Sequence, residues 1–241
     1  GLKIYGEESG KVISYAATMA HASQSGLSRL FDTLLEGEGG RLEPLDDLSF
    51  YEEGGVSGLI HGETVLFGTA AFCRKMHVTM PGGLSLKTGA FLAVDGTLIA
   101  VFAVKYTAAE NVDWALHALK RSRITPVLAV RDGSITPALL KRKFGTDARA
   151  VYPTISTRLA LSEKDGEHPY ALLYREGLMP YAEIAVGSKR LVHAVRMAAV
   201  LSLGSSAVSA LLAFYLTFVG AYSALTPVSM LLYLLLWALA A

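Results

Sequence analysis

The side chains best suited to chemistry follow the predicted strands in the second half of the chain. Ligands of open parallel sheets bind beyond the carboxyl ends of the strands, where loops converge. Magnesium-dependent phosphoryl transfer would need hard oxygen ligands there, normally a pair of carboxylates. Three of the four strand ends carry a cation, which would compete with a metal ion for the carboxylates. We therefore expect solvated loop charges and no metal site, with Asp132 as the candidate catalytic residue. The positions are Lys105, Tyr106, Arg131, Asp132, Gly133, Tyr152, Pro153, Arg175 and Glu176.

Other motifs with a known chemistry do not occur in the sequence. There is no G-x-x-x-x-G-K-[ST] phosphate loop, no G-x-G-x-x-G dinucleotide motif and no G-x-S-x-G nucleophile elbow. The single Cys73 and the scattered histidines offer no zinc-ligand spacing. The net charge of +1, without a dense Lys/Arg cluster, predicts that nucleic acid is not a partner.

The C-terminal segment is uncharged from Met197 to Ala241. A bilayer core about 30 Å thick needs about 20 apolar helical residues, so this segment has room for two spans and a turn. We predict transmembrane helices at Met197–Gly220 and Leu225–Ala241. The lipid bilayer is therefore a predicted partner, and the alternative is a helical pair buried in a soluble core.

Basic residues set the predicted orientation of this helical hairpin. Lys189, Arg190 and Arg196 precede the first span, while the connection between the spans is uncharged. The positive-inside rule then places residues 1–196 in the cytosol. Small residues on the first span predict close packing against other transmembrane helices, of this chain or a partner. They are Gly204, Ser205, Ser206 and Ser209.

The region before the hairpin divides into two predicted units, 1–82 and 83–188, with the membrane segment at 189–241. Residues 1–82 predict a small α+β unit, with a helical pattern over Lys11–Glu36 and a hairpin of Val56–Ile60 and Thr64–Phe67. Residues 83–188 predict α/β alternation and hence a parallel, Rossmann-like sheet. Its predicted elements are a hairpin of Ala90–Val94 and Thr97–Val104, a helix from Thr107, strands at Val127–Val130, Ala148–Val151 and Tyr170–Tyr174, and helices at Thr136–Lys143 and Ser156–Glu163.

The order of these predicted elements, and several stretches within it, resemble the C-terminal part of a P-type cation-transporting ATPase, nearest the heavy-metal branch. Ser14–Ser23 is similar to the opening helix of that family's nucleotide-binding domain, and Gly55–Gly68 to its hairpin. Ala93–Ala100, Ala115–Lys120 and Ile124–Leu128 resemble the start of its phosphorylation domain. The resemblance implies a haloacid-dehalogenase-like parallel sheet for residues 83–188. It also implies nucleotide contacts at Gly55 and Gly58.

The family's catalytic motifs are degenerate in this chain. The adenine-contacting His-Pro pair falls on Ser25 and Gly26, and the first glycine of the glycine pair is replaced by Glu53. The T-G-D motif keeps only the carboxylate of Asp132. The G-D-G-x-N-D motif falls on 174–176, and the lysine that follows a proline falls near Ser156. The phosphorylated aspartate of the family would lie before the first residue of this chain.

Three functions are compatible with these residues. The first is the C-terminal portion of a degenerate P-type-ATPase-like membrane protein without phosphoryl transfer of its own, acting in binding, regulation or assembly. The second is a divergent working cation pump whose aspartate lies upstream; only in that case are ATP and magnesium implied as cofactors. The third, a membrane-tethered phosphatase, lacks an aspartate after the first sheet strand. We predict an integral membrane protein of a bacterial-type plasma membrane.

Overall fold

The computed structural model describes residues 1–81, 88–145, 150–163, 173 and 177–240, and it divides into two compact units, Gly1–Leu172 and Leu173–Ala241. The first unit holds six strands and six helices among its described residues. They are β1 (Leu2–Ile4), α1 (Ser9–Ala22), α2 (Ser28–Gly37), β2 (Asp46–Tyr51), β3 (Gly55–Ile60), β4 (Glu63–Gly68), α3 (Ala70–Lys75), β5 (Gly89–Val94), β6 (Thr97–Ala103), α4 (Val112–Arg121), α5 (Pro137–Phe144) and α6 (Ile155–Ser162).

The strands form one antiparallel sheet in the order β1-β6-β5-β4-β3-β2. Both predicted hairpins are confirmed, β3 with β4 and β5 with β6. Their two-residue turns, His61-Gly62 and Asp95-Gly96, have positive φ at both positions. This backbone matches the right-handed twist of the flanking strands, and Asp-Gly is among the sequences that favour it.

The predicted parallel sheet of residues 83–188 is wrong for the part of the chain that the structure describes. Its first hairpin, β5 and β6, belongs to the antiparallel sheet, and between the later predicted strands the described residues form an isolated parallel bridge, Val127 with Val151. An apolar run is typical of any strand that is covered on both faces, whichever way its neighbours point. The predicted strand at 170–174 falls mainly outside the described residues. The predicted boundary at 82/83 stays a prediction, although the sheet continues across it.

Helices cover both faces of this sheet. On one face α1 and α2 bury Phe31, whose ring packs edge-on against Phe67 at 5.4 Å and Phe102 at 4.9 Å between centroids. On the other face, α3 buries Phe72 and Cys73. This double coverage explains why Ala90–Val94 is buried without interruption. The class of mixed α and β structure is therefore confirmed, with an antiparallel sheet at its centre.

Two helices of the first unit begin after a threonine that caps them, and a third begins later than the sequence predicts. Thr69 caps α3 by accepting a hydrogen bond from the Phe72 amide at 3.2 Å, and Thr136 caps α5 by accepting one from the Leu139 amide at 3.3 Å. Both follow the usual preference for threonine at the N-cap. The helix predicted from Thr107 begins later, at Val112, the first residue of α4.

The second unit consists of α7 (Leu178–Val219), a 3-10 turn (Tyr222–Ala224) and α8 (Pro227–Ala240). Gly220 ends α7 with a φ of +70°. Among the described residues α7 is the one helix long and apolar enough to cross a membrane, and its 42 residues extend about 63 Å at about 1.5 Å per residue. The apolar part of α8, Pro227–Leu239, is shorter, so a second span stays a prediction. Ser209 of α7 and Tyr233 of α8 join the two helices through their hydroxyls, at 2.8 Å.

Candidate functional site

A cleft lies where β3 begins, β4 ends and β5 begins, at one edge of the antiparallel sheet. Gly55, Gly68 and Gly89 mark these strand ends and line the cleft. The connection between α1 and α2 contributes Ser25 to one side. The loop of residues 131–134 lines the other side and brings Asp132. The structure therefore brings together two of the predicted site residues, Gly55 and Asp132, although their roles stay predictions.

Asp132 is held by two donors of its own unit. It is only 6% exposed, the Tyr106 hydroxyl donates to its Oδ2, and the Ser134 amide donates to its Oδ1 at 2.9 Å. Burial, followed by the charge of Asp132, raises the pKa of Tyr106 above its ordinary value, which keeps this phenol protonated as a donor. The bond to Ser134 is the local side-chain-to-backbone turn that aspartate favours. Asp132 therefore anchors the loop that carries it.

Two glycine backbones come into close contact inside the cleft. A Cβ added at Gly133 would lie 2.0 Å from the Cα of Gly54, and one added at Gly54 would lie 2.6 Å from the Cα of Gly133. Gly54 also has a φ of +80°, which disfavours any other residue. The loop of residues 131–134 thus packs directly against the turn before β3. The remaining cavity of about 40 Å³ holds roughly three water molecules.

A buried arginine holds α6 against the same turn. Arg158 is fully buried, its Nη2 lies 3.3 Å from Oε2 of Glu52, and its Nη1 donates to the Tyr152 hydroxyl at 2.6 Å. The other oxygen of Glu52 accepts a hydrogen bond from the Ile155 amide, the first residue of α6, at 2.5 Å. The negative charge of Glu52 is also favourable at a helix N-terminus. Glu52 and Arg158 therefore hold α6 against the turn that precedes β3.

The other predicted site positions do not meet in this cleft. Gly58 lies in the middle of β3, where an added Cβ would be 2.6 Å from Cδ1 of Leu45, so its small size serves packing. Arg131 was expected to be a solvated loop charge, whereas its Nε donates to Oγ of Ser162 at 2.8 Å. Arg175 and Glu176 lie outside the described residues. The prediction for Gly58 as a nucleotide contact stays a prediction.

The cleft residues do not fit magnesium or a nucleotide in this arrangement. Asp132 is the one carboxylate among the described residues that line the cleft, and both its oxygens already accept hydrogen bonds. No group of three or more metal-ligand side chains occurs in the described part of the chain. Ligand pockets usually measure about 300–1,000 Å³, far more than the space left beside Gly54 and Gly133. No step of phosphoryl transfer follows from these residues.

Sequence reasoning missed Glu52 and Arg158. The two residues are 106 positions apart, and a single arginine in a short helix does not differ in sequence from a solvated one. The closest signal was Glu53, which takes the place of a family glycine in the same turn. Glu53 itself pairs with Lys75, whose Nζ lies 2.5 Å from Oε1.

Comparison with known proteins gives structural similarities only. No protein-family model matches the chain, and no curated protein sequence matches it. The N-domain of HMA8, a copper-transporting P-type ATPase, aligns with 44% of this chain and 97% of its own length, at 16% identity and a TM-score of 0.38. The catalytic domain of the CPx-ATPase CopB-B aligns with 64% and 53%, at 13% identity and a TM-score of 0.38. A zinc-transporting PIB-type ATPase in the E2.Pi state aligns with 64% and 26%, at 10% identity and a TM-score of 0.37. At these values the function must be argued from the residues of this chain.

Proposed function

We propose that this chain is the C-terminal portion of a degenerate P-type-ATPase-like membrane protein without phosphoryl transfer of its own. Its first unit acts in binding, regulation or assembly. The observation that supports this proposal is the closed cleft, where Gly133 contacts Gly54 and the carboxylate of Asp132 is bonded to Tyr106 and Ser134. The contact between these glycines leaves about 40 Å³ beside the carboxylate, far less than ligand pockets usually measure.

The membrane placement is part of the same proposal. Residues 197–219 of α7 form an uncharged helix about 34 Å long, enough for a bilayer core of about 30 Å. Lys189, Arg190 and Arg196 precede this stretch and favour a cytosolic position for residues 1–196. We place α8 in the bilayer beside α7. The bilayer and further transmembrane helices are then the partners of the second unit, in a plasma membrane of the bacterial type.

The decisive experiment measures ATP hydrolysis and phosphoenzyme formation by the protein with its native upstream sequence, purified in a neutral detergent. We expect no turnover and no acid-stable phosphoenzyme after incubation with radiolabelled ATP and magnesium. Hydrolysis together with a phosphoenzyme would contradict the proposal. The divergent pump would then be favoured, and Asp132→Asn should abolish turnover if Asp132 takes part, whereas the exposed Asp113→Asn on α4 should have no effect.

A further inference from the structure

A second cavity lies on the α3 side of the sheet, next to the closed cleft. It is a groove of about 280 Å³ between α3 and α5, and it shares Thr69, Gly89 and Ser134 with the cleft as a common wall. Its floor is apolar, formed in part by Phe91 and Leu139, which are buried. An engineered cavity of about 150 Å³ accommodates benzene, so this groove has room for a ring-sized organic group.

Two arginines line the groove, and their terminal nitrogens have no partner among the described residues. Arg74 of α3 uses its Nε in a hydrogen bond to the Ala70 carbonyl at 3.1 Å, which leaves both terminal nitrogens available. Arg142 of α5 is exposed and has no hydrogen-bond or ion-pair partner among the described residues. Lys75, the neighbour of Arg74, is paired with Glu53. No carboxylate occurs among the described residues that line the groove.

One hydroxyl adds a neutral donor to this lining. Thr136 accepts the Leu139 amide through its oxygen, so its hydroxyl hydrogen is free to donate toward a ligand. The hydroxyls of Thr69 and Thr88 are already used as donors, to the carbonyl of Glu53 at 2.6 Å and that of Val104 at 2.7 Å. Among the described lining residues, the two arginines and Thr136 therefore offer donors to a ligand.

We propose that this groove binds a small soluble organic phosphate. The phosphate would lie between Arg74 and Arg142, because guanidinium groups form paired, charge-assisted hydrogen bonds to phosphate oxygens. The organic part would lie on the apolar floor. This site differs from the closed cleft, and it does not depend on whether the protein hydrolyses ATP.

Calorimetric titration of the full chain with phenyl phosphate, in a neutral detergent and a phosphate-free buffer, tests the proposal. We expect binding of phenyl phosphate and none of benzyl alcohol, which has the ring without the phosphate. Arg74→Gln and Arg142→Gln should each weaken the affinity about ten- to a hundredfold, the effect of losing a charge-assisted hydrogen bond. Arg121→Gln removes an arginine that is also exposed, in the last turn of α4, and should leave the affinity unchanged.

Several results would overturn the proposal. They are an absence of binding in the millimolar range, equal affinity in the Arg74 and Arg142 variants, or the same weakening in Arg121→Gln, which would indicate long-range charge alone. A parallel titration with phosphatidylglycerol in neutral micelles separates a soluble ligand from a lipid headgroup. Binding of the lipid without binding of phenyl phosphate would also contradict the proposal.

Discussion

Asp132 and Tyr106 form the clearest pair at the residue scale. Both were expected at strand ends from sequence, but for separate strands, and the structure joins them by a hydrogen bond between side chains 26 residues apart. A buried carboxylate that loses a donor is left partly unsatisfied in a poorly hydrated place. The hydroxyl of Tyr106 should therefore matter for stability, whatever the activity of the protein.

We predict that Tyr106→Phe lowers the free energy of unfolding of the first unit by about 1.5–3 kcal/mol, the usual effect of losing a hydrogen bond to a charged group. Urea titration followed by circular dichroism of the full chain measures the change. Tyr5→Phe is the matched control, because the Tyr5 hydroxyl is buried and has no partner among the described residues. Its removal should be neutral or slightly stabilising. Equal losses in both variants would show that the bond to Asp132 contributes nothing.

Part of the candidate site could be predicted from the sequence, and part could not. Gly55 and Asp132 were identified because the family resemblance places motifs on them, and both line the cleft. Arg158 and Glu52 were not, because their pairing depends on how a distant helix packs on a turn. Neither residue stands in a pattern that distinguishes it from a surface charge.

At the scale of the elements, two glycines in turns show how the strands and loops are held together. Gly54 and Gly62 are both in turns that lead into strands, with φ of +80° and +82°. An added Cβ would meet the backbone of Gly133 at the first position, and nothing within 4 Å at the second. The two sites therefore separate the effect of backbone conformation from the effect of the close approach.

We predict that Gly62→Ala costs about 1–2 kcal/mol in unfolding free energy, for its left-handed backbone alone. Gly54→Ala should cost about 1–3 kcal/mol more, since residues 131–134 must move away. Hydrogen exchange of the Ser134 amide, which is bonded to Asp132, should speed up in Gly54→Ala and not in Gly62→Ala. Unchanged exchange in Gly54→Ala would contradict a closed cleft.

The hairpins could be predicted from sequence, whereas the sheet they belong to could not. Turn residues such as Asp95 and Gly96 define a hairpin locally. The pairing of β4 with β5 connects segments on either side of residues 82–87, and no local signal specifies it. The apolar run of Ala90–Val94 is buried without interruption, and such a run does not encode strand direction.

At the scale of the whole molecule, the uncharged tail gave the most reliable expectation. It becomes the apolar part of α7, followed by α8. The sequence predicts a basic juxtamembrane helix from residue 189, whereas α7 begins earlier, at Leu178. A change in polarity alters the surroundings of a helix without ending it, and no proline interrupts α7 after Pro180.

We predict that Leu211→Lys reduces the fraction of the chain that stays in membranes after alkaline carbonate extraction. A lysine near the centre of a membrane-spanning helix costs about 2.5–3.5 kcal/mol. Leu191→Lys is the matched control, because Leu191 is 65% exposed and Leu211 is 69% exposed on the same helix. Leu191 lies in the basic stretch outside the predicted span, so its substitution should change nothing. Equal release of both variants would contradict the position of the span.

The unbroken length of α7 has a mechanical consequence. With residues 197–219 in the bilayer, the preceding part, 178–196, extends about 28 Å beyond it as the same rigid rod. Helices of this kind tilt by about 20° on average, and such a tilt would move the outer end sideways by about 10 Å. A change in the packing of the membrane helices that altered this tilt would then displace Leu178 by more than the length of a side chain.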